Sequence, residues 1–443
     1  MPNVAHTNSH LPSRRTILRA GTLAAGFGAL ATLAACGTGT NSAVGGAGGA
    51  SKTLSLQLLG ADEKTIEFLK TTVAEQFKAK TGFGLELRTS DWASGFQKMV
   101  TAAASGSLAD VVTLGGIWTA PLASKKALLP LDEKFAAWDE NAAFNPNMLT
   151  DARYEDKLYA VPYAADIRTA CYRMDHLEKV GYTEDSLPTT WDEYKAMAIK
   201  LSAKNGGPAK SPLSWFNDKS IGIQQSFAQL MFQAGGSYWD ASGKASFSSD
   251  AGKNALDYLV SFYTDGLSDF NDVFTGTGAG AVAAGRSSAE YSGLLVYRNT
   301  KDFAQKPTPK IVAGPPLKAT AAGKPVSSAW VNKFGVAAGT KHQDEAWELV
   351  KILTSATTME TLNERVGALP TRSDAVNSEF FKSLPEGFSK AGDYVRTQPT
   401  SPNMLAIGPA IKIVLQKAVL GQATTDEALA EIDKKVNEIN GVA

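Results

Sequence analysis

Thr53-Leu54-Ser55-Leu56-Gln57-Leu58, Ala61 to Lys80, Leu85-Glu86-Leu87, Trp92 to Ser105 and Asp110-Val111-Val112-Thr113-Leu114 together decide the fold class. In the first run leucines alternate with polar residues, the period of a half-buried strand. In the second, Ile66, Leu69, Val73 and Phe77 recur at helical spacing and Gly82 ends the segment. Leu85 opens another strand, Trp92 to Ser105 reads as a helix stopped by Gly106, and Val111 to Leu114 is a buried strand ending at Gly115-Gly116. Strand–helix–strand–helix–strand predicts an α/β fold with a parallel sheet covered by helices.

Downstream the α/β pattern continues less regularly. Tyr159 to Tyr172 has strand-like apolar runs around Pro162. Thr190 followed by Glu193 is a capping box, predicting a helix to about Ala203. Helices are also expected over Gln224 to Ala234, Asp250 to Thr264, His342 to Leu353 and Thr424 to Ile439. Short strands are expected over Lys310 to Val312 and Phe334 to Ala337.

Upstream, Ser13-Arg14-Arg15-Thr16-Ile17-Leu18-Arg19 precedes an apolar run and Leu33-Ala34-Ala35-Cys36. The arginine pair resembles a twin-arginine export signal, and the tetrapeptide resembles a lipobox whose cysteine is lipidated and becomes the mature N-terminus. Residues 1–35 then form a removed signal peptide, and 36–51 a lipidated flexible tether, rich in Gly, Ser, Thr and Ala. The other reading is an uncleaved anchor, although the apolar run is short and glycine-interrupted for a membrane span. The expected place is the outer face of the cell membrane, lipid-anchored through Cys36.

Composition narrows the function further. Basic and acidic side chains number 44 each, and three of the arginines lie in the leader. No basic block suits a polyanion, which argues against nucleic-acid binding. Lipidation of Cys36 leaves Cys171 without a disulfide partner, and its apolar surroundings suggest a buried, inert thiol. Only His176 and His342 lie beyond the leader, too few for a histidine metal site or a Ser/His/Asp triad. No catalytic residue, metal or cofactor is expected.

Four phrases in order carry a family resemblance: Ala104-Ser105-Gly106 with Ala109-Asp110; Leu158 to Asp166 with Tyr172-Arg173-Met174-Asp175; Leu187 to Tyr194; and Asp344 to Thr354 with Gly367 to Arg372. They resemble family 1 extracellular solute-binding proteins, the sugar-binding components of ABC importers that include maltose-binding protein. The resemblance implies two α/β lobes around an interlobe ligand cleft, joined by a hinge that closes on the ligand. Lobe one maps to about 52–163 plus 308–354, and lobe two to about 168–304 plus 357–443. It also implies a monomer that passes a mono- or oligosaccharide to ABC permease subunits.

A sugar site needs aromatic faces with fixed donors and acceptors. By the resemblance Asp166 is an acidic ligand contact near a crossover, and Arg168, two residues along an extended segment, points to the same side. The alternative for both is a plain ion pair. Trp118 follows the Gly115-Gly116 turn at a strand's carboxyl end, where ligands gather in open α/β sheets. Asp62 and Glu63 begin the first helix, either accepting sugar hydroxyls or complementing the helix dipole. Trp330 is a candidate stacking face, with Tyr163 and Gln225 as further contacts. Arg372 either contacts ligand or pairs within a lobe. Tyr291 to Leu295 lacks the tryptophan common in the family, which argues against inherited maltodextrin specificity. Trp191 and Trp347 are expected in the core.

Two rivals remain. A glycosidase needs two carboxylates at set separation, and Asp62, Asp110 and Asp166 are the candidates. A lipid-anchored sensor would keep the fold and signal instead of transporting.

Overall fold

The structure, a computed structural model, describes residues 52–215, 222–271, 280–303 and 307–442. The leader, Cys36 and the tether lie outside the described residues. Strand β1 (Thr53–Leu59) turns Leu54, Leu56 and Leu58 into the core. It runs parallel to β2 (Gly84–Ser90) on one side and β3 (Val111–Leu114) on the other. Between β1 and β2 the helical run has three parts: α1 (Glu63–Phe68), a π-helical turn (Leu69–Val73) and α2 (Ala74–Thr81). Gly82 ends it at φ 77°, a left-handed conformation in which glycine carries no Cβ penalty. Helix α3 (Trp92–Ala104) is capped by Asp91, which accepts from the Ser94 amide.

The parallel expectation holds for these three strands, whereas beyond them the sheet is mixed, with both antiparallel and parallel pairs. β4 (Ala160–Arg173) is a single strand of 14 residues. β5 (Leu213–Ser214), β6 (Ala289–Ser292), β7 (Ile311–Ala313) and β8 (Ser327–Val336) follow, with β9 (Leu369–Pro370) and β10 (Val395–Thr397) as short additions. β8 lies antiparallel between β3 and β4, giving the order β2-β1-β3-β8-β4-β6-β5. The first part of β4, to Arg168, pairs with β8; the last part, Thr169 to Arg173, pairs with β6 and β7. One strand thus serves both halves of the sheet. Pro162 is tolerated inside it because the register shifts there: Lys333 faces Pro162, Asn332 faces Ala164, and Tyr163 is the extra residue.

Helices complete the layers: α4 (Trp191–Leu201), α5 (Gly222–Gln233), α6 (Asp250–Thr264), α7 (Leu294–Phe303), α8 (Gln343–Leu353), α9 (Ala356–Val366), α10 (Met404–Val419) and α11 (Thr425–Asn440). The Thr190–Glu193 capping box opens α4 as its spacing predicts. Trp191 and Trp347 are buried core residues. Cys171 is fully buried, and burial pushes its thiol pKa up, which keeps it protonated and unreactive. Among the described residues no helix is long and apolar enough to cross a membrane.

Candidate functional site

Two adjacent antiparallel strands place directly opposed side chains on the same face, and residues two apart share that face. Trp330 is paired with Asp166, and Ser328 with Arg168. These four side chains therefore form one patch where β4 and β8 cross. The Asp166 carboxylate accepts from Arg168 Nη2 at 2.6 Å and Nε at 3.1 Å. The guanidinium carbon lies 4.8 Å from the centre of the Trp330 ring, within cation–π range. Both readings of the pair meet here, since the ion pair exists and Asp166 keeps a third of its side chain exposed.

The patch is extended by β10, whose Arg396 is the register partner of Ser328. Beneath it, α5 presents a row of buried glutamines. Gln229 accepts from the Ser328 amide at 2.6 Å and donates to the Val326 carbonyl at 2.7 Å. Gln233 donates to Tyr291 Oη at 2.6 Å and accepts from Trp191 Nε1 at 2.8 Å. These bonds fix β8 against the helix. Four buried polar atoms of the site elements have no hydrogen-bond partner among the described residues: Ser328 Oγ, Trp330 Nε1, Gln225 Oε1 and Gln398 Nε2. Buried polar groups are nearly always paired, so water or a bound molecule can complete these four.

At the carboxyl ends of β1 and β3 sits an aromatic group. Trp118 is 9% exposed and packs on Trp92 and Phe96, with ring centres 5.6 Å and 5.2 Å away. Gly115 and Gly116 make the approach possible. A Cβ at Gly115 would lie 3.1 Å from Trp92, and one at Gly116 3.2 Å from Trp330. The diglycine turn thus joins Trp118, just after it, and Trp92 of α3 to Trp330 of β8. Lys333 holds the turn, donating to the Gly116 carbonyl at 2.9 Å and to the Asp151 carboxylate at 2.5 Å.

The remaining candidates lie elsewhere or have other partners. Asp62 is exposed and caps α1 through the Thr65 amide at 2.8 Å. Partial burial works to raise its pKa, but the Thr65 bonds and the charges of Arg298 and Arg365 leave it below the usual carboxylate value. Glu63 is exposed in the first turn of the same helix. Tyr163 is buried and stacks on Phe334 at 4.3 Å, inside the lobe around β1. Arg372 is 4% exposed and donates to Glu140, Asp374 and the Thr354 carbonyl, so its fork is occupied within the fold. Asp110 is likewise engaged, accepting from Ser55 and Thr340. Asp62 and Asp110 thus serve as cap and cross-link, which leaves the glycosidase reading without a carboxylate partner for Asp166 among them.

Sequence reasoning missed Ser328, Gln229, Arg396, Gln398 and Trp92. Trp92 is 41% exposed at the start of α3, and an exposed tryptophan at a strand-to-helix junction was its only signal. The others are single polar residues whose pairing is long-range.

Comparison with known proteins agrees with this architecture. The chain is 22% identical over 380 residues to a binding protein of Brucella abortus (strain 2308), covering 83% of this chain and 88% of that one. A solute-binding protein of an ABC transporter from Thermotoga lettingae, solved with alpha-D-tagatose, superimposes with a TM-score of 0.72 at 23% identity, covering 88% of this chain and all of that one. The GacH receptor of Streptomyces glaucescens, solved unliganded and with acarbose, gives 0.73 at 22% identity, covering 88% and 98%. The fold is the two-lobed α/β architecture of such binding proteins. Residues 62–360 match the family described as bacterial extracellular solute-binding protein, and the chain belongs to that family.

Proposed function

We propose that this chain is a lipid-anchored capture protein that takes up a sugar between its lobes and passes it to an ABC-type import permease. The observation that carries the reading is the patch where β4 and β8 cross. There Asp166, Arg168, Ser328 and Trp330 share a face, and buried Ser328 Oγ and Trp330 Nε1 lack partners among the described residues. Sugar hydroxyls both donate and accept, so they suit such a surface. The tagatose and acarbose complexes of structural neighbours support a carbohydrate.

The lobes follow the two halves of the sheet except at β7, which lies within 308–354 yet pairs with the last part of β4. One comprises about 52–163 plus 308–354 and the other about 168–304 plus 357–443. β4 passes between them, and hinge closure brings the two walls together on the ligand. Cys36 carries the lipid anchor, and the tether to Ser51 keeps the cleft near its permease. The chain works as a monomer and performs no bond chemistry.

A thermal-shift panel of mono- and oligosaccharides, amino acids, peptides and metal ions tests the reading. A sugar at about a hundredfold its dissociation constant stabilises the protein by about 2.7 kcal/mol. Stabilisation by an amino acid, peptide or metal, with no sugar effective, contradicts it.

A further inference from the structure

Three register partners in adjacent strands, Arg168 on β4, Ser328 on β8 and Arg396 on β10, form one row on the patch face. The two arginines differ in what they face. Arg168 is neutralised by Asp166 at 2.6 Å. Arg396 is half-buried, its guanidinium 4.2 Å from the centre of the Phe232 ring, and no carboxylate pairs with it among the described residues. Burial also holds its pKa below the ordinary guanidinium value. A partly desolvated guanidinium without a counter-charge is costly, and its planar fork matches carboxylate and phosphate oxygens.

Three of the four neighbouring unpaired atoms carry the same bias, and the fourth, Gln225 Oε1, is an acceptor. Trp330 Nε1 and Gln398 Nε2 are donors, and Ser328 Oγ can donate. Gln398 Oε1 is already taken, accepting from Gln224 Nε2 at 3.2 Å. A neutral sugar can satisfy those donors through its hydroxyl oxygens but brings no charge, whereas this wall also holds a guanidinium without a carboxylate partner among the described residues. We propose that the captured sugar is acidic, and that Arg396 selects it by pairing with its carboxylate or phosphate group. This inference rests on the sugar-binding reading and adds the charge of the ligand.

Titration calorimetry on the full chain tests it with glucuronate, galacturonate and digalacturonate, their neutral counterparts glucose, galactose and galactobiose, and glucose 6-phosphate. At least one acidic sugar should bind about tenfold or more tightly than its neutral counterpart. Arg396→Gln should abolish that preference, weakening acidic-sugar binding at least about tenfold more than neutral-sugar binding. Arg396→Lys, which keeps the charge and loses the fork, should fall between. Preference for the uronates identifies a carboxylate; preference for glucose 6-phosphate identifies a phosphate. The proposal is overturned if neutral sugars bind as tightly as acidic ones, or if Arg396→Gln weakens both equally. Either result leaves sugar capture standing. Absence of any sugar from the broad thermal-shift panel overturns both.

Discussion

The guanidinium of Arg168 lies over the indole of Trp330 at 4.8 Å, and Asp166, directly across the ladder from Trp330, holds it there at 2.6 Å. The acid, the cation and the ring act as one unit. Arg168 covers one face of the indole, Trp330 is only 8% exposed, and its Nε1 is buried without a partner among the described residues. On the proposed reading Trp330 serves as a hydrogen-bond donor, in place of the open stacking face expected from the sequence.

Gly293, the residue after β6, touches this unit. A Cβ there would collide with Oδ1 of Asp166 and stand 3.1 Å from the Ile167 carbonyl. Gly293→Ala should therefore displace the carboxylate and weaken sugar binding about tenfold, with a small change in melting temperature. Calorimetry with the panel's sugar checks this; unchanged affinity means Asp166 is not a ligand contact.

The buried Lys333–Asp151 pair predicts a pattern in stability. Burial drives the Asp151 carboxyl up to about 6, against the attraction of Lys333, and drives the Lys333 ammonium down. Removing one partner strands a buried charge, so Lys333→Met should cost about 3–5 kcal/mol. Lys333→Met combined with Asp151→Leu should recover most of that. Urea denaturation of the three proteins measures it, and a double variant no more stable than the single one speaks against the account.

His176 gives a pH dependence. It is 7% exposed, with Nδ1 3.0 Å from Ser288 Oγ. Burial, with Arg173 and Lys179, outweighs Asp175 and holds its pKa below 6.5. A depressed value means the folded state binds this proton less readily than the unfolded chain. The contribution is complete above about pH 6.5 and is lost as pH falls through the folded value, at about 1.4 kcal/mol per unit of depression. Asp151 acts in the opposite sense, its contribution being lost as pH rises from the ordinary 3.8 towards about 6. The comparison therefore needs the variant: between pH 7.5 and 5.5, His176→Gln should lose less melting temperature than the parent.

Arg372 should matter for stability and not for affinity. Its guanidinium donates to Glu140 and Asp374 and lies 5.2 Å from the Phe144 ring. Arg372→Ala should destabilise by about 2 kcal/mol or more while the dissociation constant for sugar is unchanged. A selective loss of affinity would return Arg372 to the site.

The sequence read most clearly where pattern is local. Alternating leucines gave β1, helical spacing gave α1 to α2, and Thr190 with Glu193 gave the start of α4. β8 was visible only near Phe334, because its other end opens with buried Ser327 and Ser328, which look like loop residues. Its antiparallel placement depends on partners more than 150 residues away, which no local period records. Helices α7, α9 and α10 were missed; α10 carries Pro409 near its start, a local signal against helix. Asp166 and Trp330 entered by resemblance, and only the register shows that they face each other. Arg396 and Gln398 acquire meaning solely from the strand they flank.

The central claim is that the patch at the β4–β8 crossing binds the sugar. Calorimetric titration of the panel's sugar into the parent, Asp166→Asn and Trp330→Phe tests it most directly. The account predicts a single site in the parent and affinity at least about tenfold weaker in each variant, since one loses the charged acceptor and the other the Nε1 donor. Undiminished binding by both variants would contradict it.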